Sequence, residues 1–135
     1  MSRINYRRLS MARSKAKTES PFTGVWHIIS MDAWDKYYLN EEVQAYIEFE
    51  AGGTGNFQFG YVTGYMDWRP TTRDGKPAVE WSWEGGDGAD GTALTGRGWG
   101  ALEEDELRGM IVIHMGEESG FVAKKPKASK RSKRK

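Results

Sequence analysis

Short segments that alternate large apolar residues with charged or polar ones constrain the fold of this 135-residue chain more than any other feature. Residues 78–84 read AVEWSWE, which puts a valine and two tryptophans on one side and the acidic residues and serine on the other. Residues 45–50 and 56–61 show the same period of two. Such alternation is typical of a β-strand with one buried face and one wet face.

Turn signals, most of them rich in glycine, separate about eight predicted strands with short connections. Connections this short favour antiparallel pairing, because parallel pairing needs long crossovers. Gly96, Gly98 and Gly100 alternate within one strand, which favours strong coiling, so the fold is predicted to be an all-β antiparallel meander β-barrel. Pro70 is expected to end a strand, and Asn40 is expected to open one helical turn. The predicted strands are residues 24–34, 45–50, 56–61, 65–69, 78–84, 92–102, 107–115 and 121–123.

Charge divides the chain into three blocks, and these blocks define its predicted domains. Residues 1–20 carry a formal charge of +5, residues 21–123 carry −12, and residues 124–135 carry +8. The two basic blocks hold few large apolar residues and cannot offset the entropy of ordering, so both are predicted to be disordered arms around a barrel domain. Their removal is therefore expected to leave the melting temperature nearly unchanged.

The basic arms point to nucleic acid or a ribonucleoprotein as a partner. Dense lysine and arginine without acids bind phosphate backbones through counterion release, without reading the base sequence. The alternative is a solubilising tail that neutralises the acidic body. The predicted nucleic-acid-binding residues are Lys124, Lys125, Lys127, Lys130, Arg131, Lys133, Arg134 and Lys135.

Aromatic residues are concentrated in the acidic block, which holds all six tryptophans and all five phenylalanines. One reading is a ligand cavity lined by rings. The other is a packed core, because the interior of a small barrel is just wide enough to be filled by side chains. Arg97 could bind an anionic group of a ligand or pair with a nearby carboxylate. The candidate ligand-binding residues are Trp26, Phe57, Phe59, Trp81, Trp83, Trp99, Arg97 and His114.

Two local patterns carry a family resemblance. Gly24-Val25-Trp26 opens the first predicted strand and resembles the Gly-x-Trp of lipocalins and other calycins, which implies that Trp26 closes the base of the barrel. The Trp-Ser-Trp-Glu-Gly and Gly-Arg-Gly-Trp stretches are similar to those of small uncharacterised bacterial proteins, which implies a β-barrel and no activity. The chain departs from lipocalins in its short body and in having no cysteine for their common disulfide.

The sequence offers little support for a metal, a cofactor or a membrane span. The absence of cysteine excludes disulfides and thiolate ligands and suits a cytoplasmic location. Glu84, Asp87 and Asp90 lie in a glycine-rich segment, but their spacing does not match an EF-hand, so a solvated loop is preferred. His27 and His114 are too few for a zinc site. No apolar run approaches the ~20 residues that a membrane-spanning helix needs.

The leading functional hypothesis is a non-enzymatic binding or adaptor domain whose arms contact nucleic acid. The runner-up is a carrier that holds a small hydrophobic ligand in an aromatic-lined barrel. An enzyme is the third hypothesis, and it requires His114, Asp32 and Arg97 to converge in a cleft. A filled interior favours the adaptor, and a large cavity beside the tryptophans favours the carrier.

Overall fold

A computed structural model describes residues 20–126, in which eight strands form one closed barrel. Each strand pairs antiparallel with the next, and β8 pairs with β1 to close the barrel. The predicted all-β meander barrel is confirmed, and it is compatible with a calycin-like fold. The elements are β1 (Gly24–Met31), α1 (Lys36–Leu39), β2 (Tyr46–Phe49), β3 (Thr54–Phe59), β4 (Val62–Arg73), β5 (Lys76–Asp87), β6 (Thr92–Glu103), β7 (Glu106–Ile113) and β8 (Glu118–Lys124).

Strand β4 runs through Pro70, although the proline was expected to end it. The reason is that β3 begins only at Thr54, which pairs with Asp67, so β3 has no residue opposite the later part of β4. The Trp68 amide donates to the carbonyl of Gly53 on that side, and the nitrogen of Pro70 points the same way, where no strand remains to accept a hydrogen bond. A proline is tolerated at such an unpaired edge. Strand β4 therefore continues with β5 as a long hairpin.

The single helical turn begins at Lys36, four residues before the predicted position at Asn40. The side chain of Asp35 accepts a hydrogen bond from the Tyr38 amide at 2.9 Å, as an N-cap residue does. Asn40 instead ends the helix. The prediction of one helical turn is confirmed, and its predicted position is wrong because Asp35 caps the N-terminus and Asn40 caps the C-terminus.

The inward face of the barrel pairs tryptophan with glycine across β5 and β6. Trp81 lies opposite Gly98, and Trp83 lies opposite Gly96. A Cβ at Gly98 would lie 2.5 Å from the Trp81 ring, and a Cβ at Gly96 would lie 2.7 Å from the Trp83 nitrogen. The glycines therefore make room for the indole rings, which extend across the space that side chains would otherwise fill.

Aromatic residues close the barrel at both ends. At one end, Phe22, Trp26 and Trp68 are buried, and Phe22 packs edge-on against Phe49. At the other end α1 buries Leu39, and Trp34 contacts the Phe59 ring with centroids 4.9 Å apart. These contacts leave the interior covered where a ligand of an open barrel would enter.

Candidate functional site

The five predicted ligand-binding aromatics inside the barrel form part of its packed core. Trp81 and Trp83 expose only 3% and 4% of their surface. The Trp83 ring meets Phe57 edge-on at 5.0 Å, and Phe57 stacks with Phe59 at 5.9 Å. Trp26 is likewise buried, at the end where β1 begins. This ring-on-ring packing matches the reading of these residues as core.

Two of the interior tryptophans leave a buried hydrogen-bond donor without a partner. The Nε1 atoms of Trp81 and Trp83 meet no acceptor. By contrast, Nε1 of Trp26 donates to the Phe22 carbonyl at 2.9 Å, and Nε1 of Trp68 donates to two carbonyls, those of Glu50 and Thr54. A buried N–H without an acceptor costs roughly 1–3 kcal/mol. In the middle of the barrel, Trp81 and Trp83 therefore fill volume with their rings and make no hydrogen bond through Nε1.

The remaining predicted ligand-binding residues lie outside the core and do not form a cluster. Arg97 and Trp99 point outward from β6, and His114 is exposed just after β7. Asp32 lines a groove on the outer face, but neither Arg97 nor His114 lines it. Within residues 20–126 no hydrogen bond or ion pair joins these side chains, so the cleft required by the enzyme hypothesis is not assembled here.

The two ends of the barrel differ sharply in charge. We call the end where β1 begins and β8 ends the arm end, and the opposite one the acidic end. The acidic end combines one basic residue, Lys36, with eight acidic ones: Asp35, Glu41, Glu42, Glu84, Asp87, Asp90, Glu117 and Glu118. The arm end has nine acidic residues but offsets them with six basic ones: Arg69, Arg73, Lys76, Arg108, Lys124 and Lys125.

Both chain termini enter or leave the barrel at the arm end. His27 of β1 pairs with Lys124 of β8. Lys125 Nζ donates to the Thr23 carbonyl at 2.7 Å and lies 5.1 Å from the centre of the Trp26 ring. Partial burial lowers the pKa of Lys125. The barrel therefore extends past the predicted boundary at residue 123 and includes the first two residues of the predicted tail.

The other predicted nucleic-acid-binding residues lie outside the described range. The structure describes Lys124 and Lys125 and ends at Pro126. The predicted disordered tail begins at residue 124, and this start is wrong because Lys124 is the last residue of β8. The rest of the predicted disorder falls almost entirely on residues outside 20–126. The six remaining predictions concern Lys127, Lys130, Arg131, Lys133, Arg134 and Lys135.

A groove of about 330 Å³ lies on the outer face of the barrel, between the tip of the β4–β5 hairpin and β8. On one wall, the Arg73 guanidinium carbon lies 3.6 Å from the centre of the Trp99 ring. Ala101, Gly109 and Gly120 also line it and offer little side-chain bulk. The groove thus has an arginine–tryptophan stack beside a nearly bare stretch of strand.

The charged residues around the groove are partly paired. Lys76 Nζ lies 2.7 Å from a Glu103 oxygen, and this contact raises the pKa of Lys76 and lowers the pKa of Glu103. Arg108 pairs with Glu106, which lies outside the groove. Arg73 makes no salt bridge with any residue of 20–126, so its cationic contact is the Trp99 ring. The groove therefore presents one stacked and otherwise uncommitted guanidinium.

Sequence reasoning named Trp99 but missed Arg73 and Arg108. Asp74 and Gly75, a residue pair typical of tight hairpins, both have positive φ at the tip of the β4–β5 hairpin. Contact between Arg73 and Trp99, however, crosses the intervening strand β5. No local pattern in the sequence indicates that the hairpin tip brings these side chains together.

Within the described residues there is no group of three or more histidine, aspartate or glutamate side chains that could hold a metal ion. In the glycine-rich segment, Asp87 and Asp90 accept hydrogen bonds from the amides of Ala89 and Thr92, at 2.9 Å each. The same residues, 20–126, contain no helix long and apolar enough to cross a membrane. Strand β5 runs through Asp87, so Glu84 and Asp87 lie in a strand and not in a loop as predicted, and the two aspartates bond to nearby backbone amides.

No protein-family model, curated protein or solved structure matches this chain.

Proposed function

We propose that this protein is a nucleic-acid-binding module in which a rigid acidic barrel presents two basic arms from one end. The observation that carries the proposal is the shared exit of the two arms. The chain enters the barrel beside Thr23 and leaves it at Lys125, whose side chain bonds to Thr23. Residues 1–19 and 127–135, with formal charges of +5 and +6, therefore start from neighbouring points.

The charge of the barrel supports an oriented contact. The acidic end carries a formal charge of −7, and the barrel surface at the arm end carries −3. A phosphate backbone is repelled by the first and attracted by the arms at the second. This arrangement aims the acidic end away from the nucleic acid and leaves it open to solvent or to another partner.

The carrier hypothesis is weaker because the interior is packed and covered at both ends. One observation still favours it, namely the two buried indole N–H groups of Trp81 and Trp83 without acceptors. A ligand oxygen could accept from them only if the rings moved apart. The adaptor reading requires no such opening of the core.

A binding titration tests the proposal. Full-length protein, a chain lacking residues 127–135, and a chain lacking both arms are titrated with duplex DNA and with structured RNA at low and high salt. Their formal charges are +1, −5 and −10. Full-length protein should bind at low salt with little sequence preference, and its affinity should fall steeply with salt, because each neutralised phosphate adds about −0.9 to the slope of log K against log salt.

A matched control separates charge from chain length. Replacing the six basic residues of 127–135 by glutamine keeps the tail and removes its charge, while Lys36→Gln removes a charge at the acidic end. The first change should weaken binding as much as deletion does, and the second should leave it unchanged. Negligible binding by the full-length chain at low salt contradicts the proposal.

A further inference from the structure

We infer that the groove beside Arg73 and Trp99 binds one nucleotide of a single strand, with its base stacked on the Arg73 guanidinium. This inference rests on the proposed function and deepens it, because it assigns the arms to phosphates and the groove to a base. It predicts a preference for single-stranded over duplex nucleic acid, which the arms alone do not provide.

The geometry of the stack is the first argument. Arg73 Cζ lies 3.6 Å from the centre of the Trp99 ring, a distance at which the guanidinium packs on the indole. This contact fixes the arginine side chain before any ligand arrives. The opposite face of a planar guanidinium stacked in this way can receive a nucleobase, as arginine planes do in single-strand recognition.

The floor of the groove is the second argument. Gly120 on β8 has no side chain, and a Cβ built there would lie 2.5 Å from a carboxylate oxygen of Asp32. Ala101 on β6 also lines the groove and adds only a methyl group to its floor. The resulting volume of about 330 Å³ is at the lower end of the range for small-molecule sites, as one nucleotide requires. Asp32 can accept a hydrogen bond from an N–H on the edge of the base, such as the N3–H of thymine.

The position of the groove is the third argument. Val122 lines it and stands two residues before Lys124, where the chain begins to leave the barrel. A single strand of nucleic acid that is bound by the C-terminal arm therefore passes close to the groove. Three acidic groove residues, Asp32, Asp74 and Glu103, balance its three basic ones in formal charge. Because its formal charges cancel, the groove contributes base stacking to binding, and the arms contribute the electrostatic attraction for phosphate.

The experiment compares single-stranded oligo(dT) of ten nucleotides with a ten-base-pair mixed-sequence duplex, by fluorescence anisotropy at low salt. The wild-type protein should bind the single strand about tenfold more tightly than the duplex. Arg73→Lys keeps the charge but loses the planar stack, so it should abolish the preference while leaving duplex affinity unchanged. Gly120→Val fills the floor without touching the stack, and it should have the same effect.

Arg97→Gln is the matched control, because Arg97 projects from the same strand as Trp99 but does not line the groove. It should keep the preference. The melting temperature of each variant shows that the barrel is folded. If wild-type protein binds single strand and duplex equally, or if Arg73→Lys and Gly120→Val both keep the preference, the groove inference is wrong and the arm proposal stands. If neither probe binds the wild-type protein, both fall.

Discussion

Strands β5 and β6 carry tryptophan on both faces of the barrel wall, and the two faces are built differently. On the inner face, Trp81 lies over Gly98, and its ring is 3% exposed. On the outer face, Trp99 meets Arg73 at the edge of an open groove. The same two strands thus have a closed aromatic wall inside and an accessible aromatic surface outside.

An aromatic-rich barrel therefore need not hold a ligand in its interior. The interior rings are used for volume, and two of them even leave their N–H groups without partners. The Arg73–Trp99 stack lies on the outer face. The two basic arms connect to the barrel at the arm end. Binding is therefore expected on the outer face and at the arm end.

The greatest effect is expected on the free energy of unfolding, when a tryptophan of the inner face is removed rather than one of the outer face. Trp81→Ala should destabilise the barrel by about 3–5 kcal/mol, because a large buried ring is lost from a core that cannot fully collapse around the space. Trp99→Ala should cost about 1–2 kcal/mol, since its ring is only half-buried on the outer face and has one cation–π contact. Urea unfolding followed by circular dichroism measures both. Equal losses for the two variants would contradict the division into inner and outer faces.

A smaller effect is expected where the C-terminal arm joins the barrel. A chain ending at residue 126 should melt like the full-length protein. A chain ending at residue 124 keeps all of β8 but loses the Lys125 contacts with Thr23 and Trp26, and it should be less stable by about 2 kcal/mol, from one charged hydrogen bond and one cation–π contact.

Thermal melting of the two truncations checks this prediction. It also revises the expectation that all of residues 124–135 can be removed without effect. Identical melting temperatures for the two chains would show that Lys125 contributes nothing to the closure of the barrel.

The smallest expected effect separates two buried tryptophans that face each other across β4 and β5. Trp68→Phe removes an N–H that donates to two carbonyls, whereas Trp81→Phe removes an N–H that has no acceptor. The loss of ring volume is similar in both, so Trp68→Phe should cost about 1 kcal/mol more than Trp81→Phe. Denaturant midpoints for the pair provide the measurement, and a larger cost at Trp81 would mean that its N–H has a partner.

The alternating segments were sufficient to predict the barrel and most of its inner face. The period of two within a single strand predicts which of its faces is buried. It did so for Trp81 and Trp83 on β5 and for the alternate glycines on β6. The path of β4 through Pro70 was not predictable, since it depends on where β3 begins to pair with β4. The Lys125–Thr23 bond joins residues 102 positions apart, and the Arg73–Trp99 stack crosses a strand. Contacts of this kind come from closure and coiling of the sheet, which no local pattern specifies.

The most direct test of binding outside the barrel uses the indole N–H signals of the six tryptophans in a ¹H–¹⁵N spectrum. Full-length protein is titrated with oligo(dT) at low salt. The Trp99 signal should shift with added oligonucleotide, while the signals of Trp81 and Trp83 stay in place. Shifts confined to Trp81 and Trp83, with Trp99 unchanged, would contradict the account, because they would place the ligand inside the barrel.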